Sequence, residues 1–238
     1  TYTAKAINRA LAARSGAIVP LVAETGGQNA MLVDSTALPE QAVTDIVASA
    51  FKSAGQRCSA LRVLFVQEDI AERVIDLLKG AMAELKVGDP ILHETDVGPV
   101  IDGAAKSNLE QHINDILQVG TLIAQAPMPE YTNNGTFVPP TAIEIDNIAQ
   151  LVKENFGPIL HIIRYKTSEL DQIIDSINST GFGLTFGIHS RNESFAEDIA
   201  RRVEVGNVYI NRNQVGAVVG VQPFGGRGLS GTGPKAGG

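Results

Sequence analysis

The chain has 238 residues, of which 44% are hydrophobic, and its formal net charge is −7. This charge argues against a surface for nucleic acids or anionic membranes, and no apolar run reaches the roughly 18 residues of a membrane-spanning helix. A single cysteine, Cys58, rules out an internal disulfide framework and indicates a reducing compartment.

The spacing of apolar residues divides the first half of the chain into helices and extended segments. Helices are predicted to begin near Ala4, at Pro39 and after Asp69, which is a suitable N-cap. Gly16 and Gly55 are suitable ends for the first two helices. Strands are predicted over residues 18–23 and 61–66, a short apolar run covers 31–33, and a loop over 88–103 precedes a further helix.

The second half repeats this scheme. Ser168 is a predicted N-cap, and a last helix is predicted over residues 194–203. Strands are predicted over residues 158–165, 184–189 and 207–210. Alternation with short connections predicts an α/β fold with an open, largely parallel sheet and flanking helices. Ligands of such sheets bind at the carboxyl ends of the strands, so the site is expected there.

Cys58 lies in a polar, flexible segment between a predicted helix end and a predicted strand start. Arg57 beside it would favour the thiolate, which is the nucleophilic form of cysteine. A lone cysteine is also commonly a small buried apolar residue. Both interpretations stay open on the residues alone.

Glu24 follows the predicted strand over residues 18–23 and precedes Gly26 and Gly27. A carboxylate in such a turn is placed like a general base. A solvated loop glutamate is the more ordinary interpretation, and the position alone favours it.

Several other patterns do not predict a site. The glycine patterns over residues 226–231 and 231–236 resemble dinucleotide fingerprints, but no helix can follow them and Pro234 interrupts the second. The four histidines lack metal-binding spacing, and His161 and His189 are predicted to be structural residues in strands. No serine has the setting of a hydrolase nucleophile.

Four motifs, in order along nearly the whole chain, resemble those of the aldehyde dehydrogenase family. Glu24-Thr-Gly-Gly27 and Gly55-Gln-Arg-Cys-Ser59 look like the glutamate and cysteine motifs, at a separation that suits the family. Lys153-Glu-Asn-Phe-Gly-Pro158 looks like the family's E-x-F-G-P motif. The segments 207–211 and 223–226 match its C-terminal landmarks. The resemblance implies a truncated aldehyde dehydrogenase catalytic domain.

Longer segments around these motifs resemble the proline utilization A group, which are bifunctional bacterial flavoenzymes. Their C-terminal module is an L-glutamate γ-semialdehyde (Δ1-pyrroline-5-carboxylate) dehydrogenase, and a stand-alone dehydrogenase of that specificity stays open. The resemblance implies that Cys58 attacks the aldehyde carbon, that hydride passes to NAD+ and that Glu24 activates water to hydrolyse the thioester. The backbone N–H of Cys58 is implied to help stabilise the oxyanion.

The same resemblance implies the binding residues and the setting of the enzyme. Glu154 and Phe156 would bind the cofactor NAD, with Glu154 on the nicotinamide ribose, and FAD would belong only to an upstream proline dehydrogenase module. The implied substrate-binding residues are Arg57, Ser59, Gly216, Ala217 and Phe224. The partners implied are a small-molecule substrate and, in the parent enzyme, further copies of itself. The implied compartment is the bacterial cytoplasm, with membrane association of the parent left open.

The resemblance also predicts the domain boundaries. Residues 1–27 would be the end of the NAD-binding domain, 28–224 the catalytic domain, and 225–238 a segment returning towards the cofactor domain. The family's oxyanion asparagine and most of its dinucleotide-binding domain are expected upstream of Thr1. We therefore expect a fragment that folds, but that does not oxidise aldehydes with NAD+ by itself.

Two other classes of function stay open. A non-catalytic scaffold or oligomerisation fragment could keep the family sequence. A cofactor-independent thiol esterase could use Cys58, because the thioester half-reaction needs no cofactor. Ester turnover without NAD+ would separate the esterase from a dehydrogenase.

Overall fold

The computed structural model describes residues 1–218, 220–233 and 235. The helices are α1 (Tyr2–Ala12), α2 (Pro39–Phe51), α3 (Glu68–Ala83), α4 (Gly103–Ile116), α5 (Leu170–Ser179) and α6 (Glu193–Arg202). The strands are β1 (Ala30–Val33), β2 (Val63–Gln67), β3 (Thr121–Gln125), β4 (Thr141–Glu144), β5 (Ile159–Tyr165), β6 (Phe182–Gly183), β7 (Thr185–His189), β8 (Asn207–Ile210) and β9 (Arg227–Gly228).

Seven strands form one sheet in the order β3-β4-β5-β2-β1-β7-β8, while β6 and β9 form a separate antiparallel pair. Every neighbouring pair in the large sheet is parallel except β3 with β4. The predicted α/β class with a largely parallel sheet is therefore confirmed. The short apolar run at residues 31–33 falls within β1, which lies between β2 and β7.

The core lies on both faces of the central strands. Every residue of β1, β2 and β7 is buried, as expected for parallel strands covered by helices on both sides. Helix α2 presents apolar side chains such as Ile46 and Phe51 to this core, and α3 presents Leu78 and Met82. The helical spacing that predicts these helices thus identifies the faces that they bury.

The strand predicted over residues 18–23 is wrong. This segment is extended, but it has no strand partner among the described residues until Glu24 forms an isolated bridge with Gly231. Ile18 is 99% exposed, so its β-branched side chain contributes nothing to the core. Local β-propensity therefore favoured a strand that the tertiary structure does not pair.

Two predicted helix caps are displaced. Helix α3 begins at Glu68 after Gln67, so Asp69 lies in its first turn and is not its N-cap. Ser168 lies in a short 3-10 turn over Thr167–Glu169, and α5 begins only at Leu170. An acidic residue in the first turn still favours the helix dipole, which explains why the sequence pattern resembles a cap.

Helix α1 is confirmed, but none of its residues is buried within the described structure. The strands β3 and β4 were not predicted, because β3 is a short edge strand with mostly exposed or half-buried residues. In the part of the chain that the structure covers, no helix has both the length and the apolar character needed to cross a membrane.

His161 and His189 lie in strands β5 and β7, as predicted, and both are buried. The Nδ1 atom of His161 lies 3.0 Å from the carbonyl oxygen of Arg62, and its Nε2 atom lies 2.9 Å from Nε2 of His112. Because a carbonyl oxygen only accepts, Nδ1 of His161 carries the proton. Burial, and secondarily the charge of His112, lowers the pKa of His161 to about 3.

Acidification should destabilise the protein through His161. The unfolded chain binds a proton at this imidazole near its ordinary pKa of 6.5, whereas the folded chain binds one only near pH 3. The stability is therefore complete above pH 6.5 and is lost as the pH falls towards 3. Between pH 7 and pH 5 this loss amounts to about 2 kcal/mol, and His161→Gln should remove most of it.

Urea unfolding at the two pH values measures this effect. The control is His93→Gln, at an exposed position, which should keep the wild-type dependence on pH. An unchanged pH dependence in His161→Gln would contradict the prediction.

Candidate active site

The predicted catalytic and cofactor-binding residues lie together at the amino ends of parallel strands. Glu24 precedes β1, Cys58 precedes β2, and Glu154 precedes β5. The prediction that the site lies at the carboxyl ends of the strands is wrong for these residues. The reason is connectivity: Cys58 lies in a helix-to-strand connection, and such connections reach a parallel sheet at its amino edge.

The backbone before Cys58 has an unusual conformation. Ser53, Ala54 and Gly55 all have positive φ angles, of 57°, 52° and 64°. A Cβ atom on Gly55 would lie 2.2 Å from the carbonyl oxygen of Gly157, so no larger residue fits. Non-glycine residues in this conformation each cost about 1–3 kcal/mol, and such strain is concentrated at functional sites. The cysteine motif and the E-x-F-G-P motif are therefore in direct backbone contact.

Asn29 holds the cysteine loop from inside the protein. Its Nδ2 donates to the carbonyl oxygens of Cys58 at 2.6 Å and Ala60 at 2.9 Å. Its Oδ1 accepts the backbone N–H of Thr185 at 3.2 Å. The side chain is buried, so these contacts replace water for all three backbone groups. One amide thus joins the amino ends of β1, β2 and β7.

The Cys58 thiol is half-buried and faces two carboxylates. Burial is the largest cause of a raised pKa of this thiol, and the charges of Glu154 and Glu24 raise it further. The backbone N–H groups of Ser59 and Cys58 act in the opposite direction, because they stabilise the thiolate. The net effect of these causes is a raised pKa, which favours the protonated thiol.

Glu24 is an exposed carboxylate held by the returning end of the chain. Its Oε2 accepts the backbone N–H of Gly226 at 3.1 Å, and the N–H of Thr25 donates to the Ser230 carbonyl oxygen at 3.0 Å. Partial burial raises the pKa of Glu24, and the Gly226 hydrogen bond partly opposes this shift. The glutamate motif and the Pro223-Phe-Gly-Gly226 motif are thus in contact.

The two glycine patterns do not form a strand–turn–helix fingerprint in the described residues. The pattern over 226–231 contains β9 and the bridge to Glu24, and the described residues after it form no helix. Pro234 and Ala236 of the second pattern lie outside the described residues.

Glu154 rests against the glycine turn after Glu24. Oε1 of Glu154 lies 3.5 Å from Nη2 of the buried Arg62. A Cβ atom on Gly26 would collide with Glu154, so this approach needs glycine. Burial raises the pKa of Glu154, while Arg62 opposes the shift. Phe156 is 44% exposed, with its ring centroid 5.1 Å from the Arg62 guanidinium carbon.

The loop that carries Gly216 and Ala217 is attached at both ends. Gln214 is buried, with its Nε2 3.5 Å from the carbonyl oxygen of Ser59 and its N–H donating to Ser49 Oγ at 3.1 Å. At the other end, Nε2 of Gln222 donates to the hydroxyl of Tyr209 at 3.1 Å. The structure therefore brings this predicted substrate loop to the cysteine loop.

The remaining predicted substrate residues have no contact that assigns them a role, and their roles stay predictions. Ser59 is buried next to Cys58, and Phe224 is half-buried before Gly225. Arg57 is exposed, and its Nε donates to Ser53 Oγ at 3.0 Å.

Sequence reasoning missed three buried polar residues of this site, Asn29, Arg62 and Gln214. Asn29 and Arg62 lie inside the glutamate and cysteine segments that carry the resemblance, so their position was available as a signal. Their burial was not, because asparagine and arginine are mostly exposed residues in proteins.

The α/β fold and the juxtaposition of the Cys58, Glu24 and Glu154 segments agree with the family that the motifs resemble. The aldehyde dehydrogenase family profile matches residues 1–238, and the chain belongs to the aldehyde dehydrogenase family. NAD use is typical of that family.

Comparison with individual relatives and solved structures shows which members of the family the chain resembles. The chain is 52% identical over 246 residues to bifunctional protein PutA of Klebsiella aerogenes, covering all of this chain and 19% of the relative. It is 38% identical over 220 residues to 1-pyrroline-5-carboxylate dehydrogenase of Geobacillus thermodenitrificans, covering 92% of this chain and 42% of the relative. A crystal structure of a Bradyrhizobium japonicum proline utilization A mutant superposes with a TM-score of 0.94 at 57% identity, covering 99% of this chain and 24% of that one. The chain therefore spans about a fifth to two fifths of the length of these curated relatives.

Removal of the Asn29 side chain should detach the cysteine loop from the sheet. Asn29→Ala would leave two carbonyl oxygens and one N–H without their partner. Because buried unsatisfied groups cost about 1–3 kcal/mol each and are not additive, we expect a loss of roughly 3 kcal/mol in the free energy of unfolding. Urea unfolding measures this loss.

Asn114→Ala is the matched control, because Asn114 is an exposed asparagine on α4. It should change the free energy of unfolding by less than about 0.5 kcal/mol. A similar small change in Asn29→Ala would show that the loop does not depend on this amide.

Proposed function

We propose that this chain carries the catalytic thiol of an NAD-dependent oxidation of L-glutamate γ-semialdehyde to glutamate, a step of proline catabolism. The observation that carries the proposal is that the half-buried Cys58 thiol lies at the amino edge of the sheet with the segments of Glu24 and Glu154, whose charges both act on it. The similarity to PutA and 1-pyrroline-5-carboxylate dehydrogenase supports the substrate.

The first step is attack of the Cys58 sulfur on the aldehyde carbon. The thiol loses its proton, a carbon–sulfur bond forms, and the carbonyl oxygen becomes an oxyanion. The backbone N–H of Cys58 then stabilises this oxyanion, which a preorganised donor does without rearrangement. Because burial raises the pKa of the thiol, ionisation needs a proton acceptor or a change in charge nearby.

The residues proposed to hold NAD fit a hydroxyl-bearing ligand. The buried Oε1 of Glu154 has only Arg62 beside it, at 3.5 Å, and has no close hydrogen-bond donor. A ribose hydroxyl would supply that donor, and the exposed Phe156 ring would pack beside it. NAD+ held there would supply the hydride acceptor, and loss of a hydride from the aldehyde carbon would leave a thioester on Cys58.

Glu24 completes the reaction by taking a proton from water. The hydroxide equivalent attacks the thioester carbon, the carbon–sulfur bond breaks, and the Cys58 thiol and a carboxylate product are released. The raised pKa of Glu24 brings it closer to working pH, which suits a general base. The Gly226 hydrogen bond holds the carboxylate in place for this role.

We also propose the domain division expected from the motifs, with residues 28–224 as the catalytic part. Two observations support it: α1 buries none of its residues, and the segment after Phe224 pairs with the Glu24 segment. An assembly of several copies in the whole protein is part of the same proposal.

Glu24→Gln should separate the two halves of the reaction. Formation of the thioester should proceed, whereas its hydrolysis should slow by about 10²–10⁴-fold, which is the usual contribution of a general base. The protein as its gene encodes it should then release a burst of about one NADH per active site, followed by a slow steady rate. Stopped-flow absorbance with semialdehyde and NAD+ measures both phases.

Two control variants make the burst interpretable. Cys58→Ala should show no burst, and Glu197→Gln, an exposed change on α6, should behave like wild type. Ester cleavage without NAD+ and without NADH production would favour the thiol esterase instead. An unaltered steady rate in Glu24→Gln would refute the assigned role.

Ser59→Ala should affect the charged substrate selectively. If Ser59 binds the substrate's charged end, losing a hydrogen bond to a charged group costs roughly 1.5–3 kcal/mol, or about 10–100-fold in kcat/KM for the semialdehyde. The value for hexanal should change by less than about threefold, because hexanal lacks that group. Steady-state kinetics on both aldehydes measure the difference, with the exposed Ser194→Ala as the control. Equal losses on both substrates would count against the assignment.

A further inference from the structure

Arg62 is a buried cation between the two loops that form the site. Its exposure is only 1%. Its Nη1 donates to the carbonyl oxygen of Gly157 at 3.0 Å, and its Nη2 donates to that of Arg57 at 3.3 Å. The same Nη2 lies 3.5 Å from Oε1 of Glu154. A single guanidinium group therefore connects Arg57, the residue before Cys58, with Glu154 and Gly157 of the E-x-F-G-P motif.

The backbone of Arg62 is held as firmly as its side chain. Its N–H donates to the Asn29 carbonyl oxygen at 3.0 Å. Its own carbonyl oxygen accepts two hydrogen bonds from His161, from the backbone N–H at 2.9 Å and from Nδ1 at 3.0 Å. His112 in turn donates from its Nε2 to the unprotonated Nε2 of His161. The guanidinium group thus extends from a backbone position that hydrogen bonds hold in place, directly before β2.

The charge balance around Cys58 gives Arg62 a second effect. Two carboxylates, Glu24 and Glu154, oppose the thiolate. Arg62 is the buried cation beside the thiolate, because its Nη2 donates to the carbonyl oxygen of Arg57, the residue before Cys58, and the charge of Cys58 in turn raises the pKa of Arg62. Arg57 is exposed to solvent, which screens its charge.

Other charged groups face this region from neighbouring elements. Tyr209 on β8 has a pKa raised by burial and, to a smaller extent, by the charge of Cys58. Lys153 lowers the pKa of His112, after the larger effect of burial, and is itself exposed. His161 stays neutral over the working range because burial lowers its pKa to about 3. Among these groups, Arg62 is therefore the one that places a buried positive charge near Cys58.

We propose that Arg62 is a positioning residue of this site, which holds the Cys58 loop and Glu154 in register and favours ionisation of the Cys58 thiol. The proposal rests on the proposed function for its place in a reaction. Glu154 and the thiolate compete for the same guanidinium group.

The test is the pH dependence of Cys58 alkylation by iodoacetamide, in the protein as its gene encodes it and without NAD+ or aldehyde. Peptide mass spectrometry reports labelling at Cys58 alone. Arg62→Met should raise the midpoint of the pH profile by about one unit, as loss of a nearby opposite charge does, and slow labelling about tenfold below the midpoint. Arg62→Lys should shift it less, and Glu154→Gln should lower it.

Arg62→Met leaves Glu154 buried without its partner, so this variant could fail to fold. The double variant Arg62→Met/Glu154→Gln removes both charges, and comparison with Glu154→Gln alone gives the effect of Arg62. Arg201→Met, at an exposed site on α6, is the control for loss of one positive charge and should leave the midpoint unchanged. Arg57→Met should shift the midpoint less than Arg62→Met.

The outcomes distinguish this proposal from the proposed function. Equal midpoints for Glu154→Gln and the double variant, with both proteins folded by circular dichroism, would overturn the role of Arg62. A shift in Arg57→Met as large as that in the double variant would also overturn it. The predicted shifts in a protein that produces no NADH from semialdehyde would leave the role of Arg62 standing and refute the proposed function.

Discussion

The hydrogen bonds of Asn29 are the constraint on which the site depends. Asn29 directly precedes β1, and its backbone and side chain form hydrogen bonds at the starts of β2 and β7. A parallel sheet fixes the spacing of its strands, but it does not fix the loops that enter them. Asn29 fixes the cysteine loop to the sheet, because its side chain donates hydrogen bonds to the carbonyl oxygens of Cys58 and Ala60. The reactive sulfur therefore has a defined position although its loop contains strained residues.

The position of the site at the amino edge of the sheet has a physical consequence for its electrostatics. Sites at the carboxyl edge face the positive N-termini of the following helices. At the amino edge the adjoining helix end is a C-terminus, as at the end of α2 before Cys58. An anion here must instead be stabilised by local N–H groups and by buried cations, and Arg62 and the backbone of Ser59 supply these.

Much of the fold could be predicted because the central strands are short, mostly apolar runs. The same reasoning failed at residues 18–23, where a run such as Ile18 and Val19 has strand propensity but pairs with no strand in the part of the chain that the structure describes. Strand β3 was missed for the opposite reason, since its exposed edge position needs few apolar residues. Propensity reports what a segment can do, whereas pairing depends on distant parts of the chain.

The candidate site also combines residues that local sequence reveals with contacts that depend on distant parts of the chain. Cys58, Glu24 and Glu154 could be identified because each belongs to a motif of adjacent residues. The contact of Glu24 with Gly226 and the bridge made by Arg62 join residues far apart in the chain, and no local pattern reveals them. Burial of an arginine is also rare, so composition argues against it.

The hydrogen bond between Glu24 and Gly226 has a consequence for folding during synthesis of the protein. The two residues are separated by 202 positions, so the acceptor emerges from the ribosome long before its donor. At a synthesis rate of about 5–20 residues per second, the interval is roughly 10–40 seconds. During that time the sheet can begin to form around β1 and β2, with Cys58 already present and the Glu24 carboxylate still without this hydrogen bond. The Glu24 segment therefore reaches its final position only after residue 226 has been synthesised.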